Sequence, residues 1–341
     1  MHGWIILDKP HGLGSTQAVS AVKRALRTQR ELLGGTEKWK VGHGGTLDPL
    51  ATGVLPIAIG EATKLAGRML DSDKIYDFTI KFGEQTDTLD LEGKVIAQND
   101  HCPTLANVQA VLPRFTGPID QAPPAYSAIL IDGQRAYDLA RKGEAVEMKL
   151  RSVNIIDLAM LKAKALRHQD SSAQLGDSGF DAALQSLIEH RYAQPGKHER
   201  VCEVTLRAHV SKGTYIRSLA RDIALALGTV GHVTMLRRIK AGRFTLETAI
   251  SLDKLDEAAM GGTIGGLMLP LTAGLDDIPA LAVSPDEALA LRQGKVLSGS
   301  DIATGLHLAF DGVIPVALVE AQDGDIRVVR GFNLMPKEED R

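Results

Sequence analysis

An α+β fold is what this sequence predicts, and three observations carry that expectation. Lys74 to Phe82 and Val201 to Val210 alternate with a period of two, as half-buried strands do. Ala18 to Leu26 and Ile216 to Leu227 instead repeat apolar residues at helical spacing. Past Pro279, short apolar runs recur between turn signals at Gly294, Asp311-Gly312 and Asp323-Gly324, which predicts a small β-rich module over 279–341. At 341 residues the chain exceeds the usual single domain, so a large domain over 1–278 is expected to precede that module.

Composition narrows the function classes. Hydrophobic content of 44% and charged content of 24% are ordinary for a globular protein. A net charge of −3 argues against a uniformly basic nucleic-acid binder and leaves local basic faces open. The two cysteines, Cys102 and Cys202, support neither a disulfide framework nor a zinc cluster and fit a reducing compartment. The apolar run in MHGWIILDKP is too short for a signal peptide, and no stretch approaches the ~20 apolar residues of a membrane span. A soluble cytoplasmic protein with no membrane partner is expected.

Element by element, Trp4 to Asp8 is a short strand ended by the turn Lys9-Pro10-His11-Gly12. Ser15 or Thr16 is placed to cap a helix whose buried face is Ala18, Val19, Val22, Ala25 and Leu26; Lys23, Arg24, Arg27 and Arg30 fall elsewhere on it. Thr63 to Leu70 predicts a short helix. In the strand that follows, Tyr76, Phe78, Ile80 and Phe82 share one face. Asp87, Asp90 and Glu92 lack calcium-loop spacing and predict the turn of a hairpin continuing into Lys94-Val95-Ile96. Thr104 to Phe115 is an amphipathic helix. Two prolines fix the extended stretch Gln121 to Ala128, which leads into a basic helix with Arg135, Tyr137, Arg141 and Lys142. Cations and tyrosines on such an element suit single-stranded RNA, and equally an ordinary hairpin and helix.

Residues 162–199 turn polar and are expected to form an inserted surface excursion, with one helical pattern at Leu184, Leu187 and Ile188. In the next strand Cys202, Val204, Leu206, Ala208 and Val210 should point inward. The helix behind it carries the stripe Ile216, Leu219, Ala220, Ile223 and Leu227, stopped at Gly228. Lys212 and Arg217 sit at the N-terminal end of that helix, against the macrodipole, which suits an anionic partner, either a carboxylate or a phosphate, and equally a solvent-facing arginine. Arg237, Arg238, Lys240 and Arg243 form a further basic cluster, and Gly261 to Gly266 a flexible join.

The chemistry is expected in Val41 to Gly60, VGHGGTLDPLATGVLPIAIG. Gly42, Gly44 and Gly45 allow positive φ or close approach. Asp48 is the one ionisable carboxylate in these twenty residues. Pro49 pushes it towards an extended conformation, and Val54 to Ile59 form a buried strand behind it. A carboxylate held this way suits a nucleophile or base, although an aspartate before proline also serves to cap a turn. There is no phosphate loop, no GxGxxG, no HExxH and no GxSxG, and the ten histidines do not cluster at metal-ligand spacing. The sequence offers a carboxylate nucleophile and no visible cofactor.

These residues resemble the TruB family of pseudouridine synthases over nearly the whole chain outside 162–199. The resemblance rests on LDKPHG at Leu7, GHGGTLDPLATGVLPIAIGEATK at Gly42, KIYDFTIKFGEQTDTLDLEG at Lys74, PPAYSAILIDGQRAYDLAR at Pro123 and SKGTYIRSLARD at Ser211. It implies a mixed, largely antiparallel sheet flanked by helices, a PUA-like C-terminal domain, and cofactor-independent isomerisation of the uridine at position 55 in the T-arm loop of tRNA; a monomer is expected, although the sequence does not fix the oligomeric state. Asp48 matches the family's nucleophile, Tyr76 the tyrosine that stacks on the target base, and Arg217 the arginine paired with the aspartate. Tyr215 and Leu236 match residues lining the base pocket, and His43 the histidine inserted into the RNA loop. Lys9, in the LDKPHG block, is assigned to substrate binding, and residues 122–150 to a thumb that clamps the RNA. Gly44 stands where the family commonly has threonine and is expected to loosen the loop; Gly14-Ser15-Thr16 stands where Thr-Ser is usual and is expected to leave the chemistry untouched.

Such chemistry needs these residue types. The target nucleotide must leave its stack at a cost of a few kcal/mol, and aromatic surfaces replace lost stacking at ~1–3 kcal/mol per base. The competing readings are a non-catalytic RNA-binding or RNA-folding module, and a metal-dependent hydrolase using Asp87, Asp90 and Glu92. Grouping Asp48, Tyr76 and Arg217 argues against the first, because a clamp has no use for an anion facing phosphates.

Overall fold

The computed structural model describes residues 1–127, 129–131, 133–144, 148–165 and 196–334. The chain divides into two compact units, one of Met1–Pro49, Gly53–Ser72 and Lys240–Arg341, the other of Leu50–Thr52 and Asp73–Ile239.

In the first unit, β1 (Gly3–Lys9) feeds α1 (Ser15–Leu32), followed by β2 (Val41–His43), β3 (Thr52–Ile59) and α2 (Ala66–Asp71). β1 runs antiparallel to β3 from Gly3↔Ile59 to Lys9↔Gly53, and β2 also pairs with β3, ending at His43↔Ile57. Val54, Leu55, Ile57, Ala58 and Ile59 are all fully buried, which is why this strand is an unbroken apolar run rather than an alternation. α1 buries the face its spacing predicts, with Ala21 and Gln29 added. Its N-cap is Gly14 rather than Ser15 or Thr16. The Gln17 side chain accepts from the Gly14 N–H at 2.8 Å, and Ser15 is turned inward to other work. Gly60 to Leu65 forms a 3₁₀ turn ahead of α2, so the helix expected from Thr63 is half of that type.

The second unit is built on β4 (Lys74–Phe82), followed by the hairpin β5 (Glu84–Thr86) and β6 (Val95–Gln98), α3 (Leu105–Val111) and β7 (Gly117–Gln121). The small hairpin β8 (Leu130–Ile131) and β9 (Gln134–Arg135) precedes α4 (Ala136–Arg141). Then come β10 (Arg151–Ala165), β11 (Val201–Val210), α5 (Ile216–Ala226) and β12 (Gly231–Ala241). β4, β11, β10 and β7 pair in that order, all antiparallel, with β12 beyond β4. Phe78, Ile80 and Phe82 are buried as the alternation requires. Two expectations need correction. On β11 a register shift beside Lys164 and Ala165 buries Val201 and leaves Cys202 half-buried. Residues 162–165 continue β10 instead of opening an excursion. The helical pattern at Leu184, Leu187 and Ile188 lies outside the described residues.

The first unit resumes with β13 (Phe244–Thr245), α6 (Leu252–Met260) and β14 (Leu269–Pro270), the last pairing with β1. The glycine-rich join is anchored rather than flexible: Ile264 is fully buried, and its N–H donates to Gln29 Oε1 at 2.7 Å. A five-stranded sheet follows, with β15 (Ala280–Ala282), β16 (Leu297–Ser298), β17 (Gly305–Asp311), β18 (Ile314–Gln322) and β19 (Asp325–Gly331) in the order β15-β17-β18-β19-β16. α7 (Pro285–Arg292) packs on it, and β15 to β17 is a parallel pair. This sheet starts where the β-rich module was expected, and it has a small core of its own. Its other face is not self-contained, because Leu308, Leu318 and Phe332 join Trp4, Ile6, Leu271 and Leu275 in one buried cluster.

Candidate active site

The seven residues singled out from the sequence fall into two sets, each built within its own unit. In the first unit, Asp48 is half-buried between buried Leu47 and exposed Pro49. Both neighbours are held by the segment from Lys9 to Ser15. Lys9 is completely buried, and its ammonium donates to the carbonyls of Pro10 at 3.0 Å, Leu13 at 2.5 Å and Pro49 at 3.3 Å. Burial of an ammonium is tolerable only when its three N–H groups are satisfied, and here three carbonyls serve. The Gly12 N–H, at a φ of +80° that favours glycine, donates to the same Pro49 carbonyl at 2.8 Å. Ser15 Oγ accepts from the Leu47 N–H at 2.7 Å and donates to the Leu47 carbonyl at 2.9 Å. Lys9 therefore helps to hold the loop from inside.

His43 is half-buried at the end of β2, and its Nδ1 accepts from the Gly45 N–H at 3.4 Å. Gly44 is buried: a Cβ there would stand 2.7 Å from Met69 Cβ. Glycine at this position is thus a packing requirement, and the loop is seated against α2 instead of loosened.

In the second unit, the buried Arg217 guanidinium meets the buried Asp90 carboxylate at 3.3 Å. It also donates to the Thr88 carbonyl at 2.8 Å and the Tyr126 carbonyl at 3.0 Å. One anionic partner of this cation at the start of α5 is thus a carboxylate of the acidic turn. Asp90 accepts further bonds from Thr88 Oγ1 at 2.5 Å and the Glu92 N–H at 3.0 Å, which help to offset the cost of burying its charge. Asp87 accepts from the Lys94 N–H at 2.9 Å and from Tyr126 Oη at 3.5 Å. The Tyr126 hydroxyl is held above the usual phenol range, first by burial and then by that Asp87 carboxylate. Tyr126 also meets Tyr137 edge-on at 6.1 Å, and the Arg141 guanidinium stacks 4.4 Å from the Tyr137 ring centre.

Tyr76 is half-buried on β4, and fully buried Arg238 donates to its hydroxyl at 3.5 Å. The Tyr215 N–H donates to Gln121 Oε1 at 2.8 Å. Leu236 is buried on β12, and its carbonyl accepts from Thr52 Oγ1 at 3.5 Å. Of the basic cluster after Leu236, Arg238 is buried, Arg237 donates to Thr52 Oγ1, and Arg243 pairs with Asp276.

Sequence reasoning missed Ser15, Asp90 and Arg238. A signal existed for Arg238, which stands two residues after Leu236 on a strand and so shares its buried face. Ser15 and Asp90 carry no such signal, because a serine before a helix and an aspartate in a turn are ordinary in those places.

Comparison with known proteins accords with this construction. The profile "TruB family pseudouridylate synthase (N terminal domain)" matches residues 30–175, and "tRNA pseudouridylate synthase B C-terminal domain" matches residues 217–275. A protein from Novosphingobium aromaticivorans described as tRNA pseudouridine synthase B is 56% identical over 332 residues, 97% of this chain and 97% of its own length. One of the same description from Zymomonas mobilis is 54% identical over 98% of this chain and 96% of its own. Among solved structures, "Crystal Structure of a Cbf5-Nop10-Gar1 Complex" matches with a TM-score of 0.64 at 25% identity, covering 98% of this chain and 85% of that one. This likeness accords with an α+β fold that carries a PUA-like C-terminal β domain in this chain. With near-complete coverage at more than half identity, the chain belongs to the TruB family of pseudouridylate synthases, which are isomerases.

Proposed function

We propose that this protein converts a uridine of tRNA to pseudouridine, that the uridine is position 55 in the T-arm loop, and that Asp48 is the nucleophile. The observation that carries the substrate class is the near-full-length likeness to relatives described as tRNA pseudouridine synthase B. The part given to Asp48 rests on the family motif and on a loop in which both flanking residues are clamped about a half-buried Asp48. The remaining roles are Tyr76 stacking on the flipped base, Arg217 as the complementary cation, Tyr215 and Leu236 lining the base pocket, and His43 entering the RNA loop.

The reaction breaks the bond from ribose C1′ to uracil N1 and forms one from C1′ to C5. The C5 proton must leave and a proton must reach N1, so atoms balance with no redox partner. A carboxylate acting at the sugar, by attack at C1′ or by removing a neighbouring proton, needs its position fixed before the nucleotide arrives. The protein is proposed to act as a cytoplasmic monomer without a cofactor; no described helix is long and apolar enough to cross a membrane.

The test is incubation of purified protein with an unmodified tRNA transcript, followed by carbodiimide-blocked primer extension. A stop at position 55 is expected with wild type and none with Asp48→Asn, whose tRNA affinity should stay within a few-fold. Product formed by Asp48→Asn near the wild-type rate would remove Asp48 from its role.

A further inference from the structure

Ser15 stands 32 positions before Leu47 in sequence, is only 4% exposed, and spends its hydroxyl on one residue. The same oxygen accepts from the Leu47 N–H at 2.7 Å and donates to the Leu47 carbonyl at 2.9 Å. That carbonyl belongs to the peptide whose nitrogen is Asp48's own. On the other side of Asp48, the Pro49 carbonyl is held by the Gly12 N–H and the Lys9 ammonium. Asp48 thus has a grip on each side. The Pro49 grip is shared by two donors, while the hydroxyl of Ser15 is the side chain that takes both polar groups of Leu47. A helix cap would have accounted for a serine here, but Gly14 fills that place and Ser15 Oγ makes no capping bond.

We propose that Ser15 is a positioning residue for the isomerisation: it orients the Leu47–Asp48 peptide and so sets the direction from which the Asp48 carboxylate meets the sugar. This rests on the proposed role of Asp48. Ser15 acts through the loop and does not itself touch the nucleotide. Without the hydroxyl, the Leu47 N–H and carbonyl must find other partners, and the peptide is free to rotate. A displacement of about 1 Å at a reacting group lowers a rate on the order of a hundredfold.

The experiment compares wild type, Ser15→Ala and Ser15→Thr on an unmodified tRNA transcript, at a temperature where thermal melts show each fully folded. For Ser15→Ala we expect kcat to fall about ten- to a hundredfold with KM within about threefold, since the RNA-contacting surface is unchanged. Ser15→Thr keeps the hydroxyl and should recover most of kcat. A Ser15→Ala kcat within twofold of wild type would overturn the proposal. So would a rise in KM with kcat preserved, or a Ser15→Thr variant as slow as Ser15→Ala. Should wild type itself form no pseudouridine, the functional reading fails first and the result says so separately.

Discussion

Gly44 shows how one missing side chain is tied to one neighbouring helix. A Cβ at this position would lie 2.7 Å from Met69 Cβ and 3.0 Å from Met69 Cγ, and Met69 is itself buried. These are the stiff near atoms of the methionine, not its flexible end, so the helix backbone would have to move. Gly44→Ala, or the threonine common in the family, should therefore destabilise the protein by about 1–3 kcal/mol, as overpacking does. Urea denaturation measures it. Adding Met69→Ala should not restore stability, because alanine keeps the Cβ that obstructs. The sequence showed that Gly44 departs from the family but not what the glycine packs against, since its partner arrives through the tertiary fold.

At the scale of elements, one ion pair joins the β5–β6 hairpin to α5. Asp90 lies in the turn between those strands and Arg217 in the first turn of the helix; their side chains are 2% and 7% exposed. Removing one partner of such a pair leaves the other charge buried, which costs about 3–5 kcal/mol. Asp90→Asn keeps an acceptor oxygen but not the charge, so we expect a loss near the lower end, about 3 kcal/mol. Thermal and urea melts read this directly. Stability unchanged by Asp90→Asn would mean that the remaining partners of the guanidinium, the Thr88 and Tyr126 carbonyls among them, hold it well enough. Much of this architecture was legible beforehand. The alternation from Tyr76 to Phe82 gave β4, the stripe from Ile216 to Leu227 gave α5, and the acidic turn gave the hairpin. The pairing of turn with helix was not legible, because local periodicity reports which face is buried and carries no information on what lies against it. The same limit hid the partner of Arg238, since its contact with Tyr76 spans 162 positions.

At the scale of the molecule, the C-terminal sheet is fastened to the N-terminal strands of its unit by packing and by a charged latch. Phe332 is 2% exposed in the cluster that holds Trp4, Leu271 and Leu275. Phe332→Ala should cost about 3–5 kcal/mol, and truncation after Ile278, which removes Leu308, Leu318 and Phe332 together, should lower the melting temperature of what remains instead of only weakening RNA affinity. A truncated protein that melts like the full chain would show that this face contributes no stability. The latch is Glu61, which accepts from the Asn333 N–H at 2.7 Å and pairs with Lys64 at 2.7 Å; Lys64 in turn donates to the Gly331 carbonyl at 2.9 Å. Burial alone would raise the Glu61 carboxyl, but the Lys64 bond, the Asn333 N–H and the Lys64 charge outweigh it and hold it below the ordinary glutamate range. A carboxyl whose folded-state value is depressed binds protons more readily in the unfolded chain. Its contribution is therefore complete above the unfolded value, about pH 4.3, and is lost as pH falls through the lower folded value. The Glu61→Gln variant should lose stability at pH 7 and approach wild type towards pH 3, with urea midpoints at pH 7, 5, 4 and 3 as the measurement. A constant gap between the two proteins across that range would mean that the Asn333 and Lys64 contacts do not depend on the charge of Glu61.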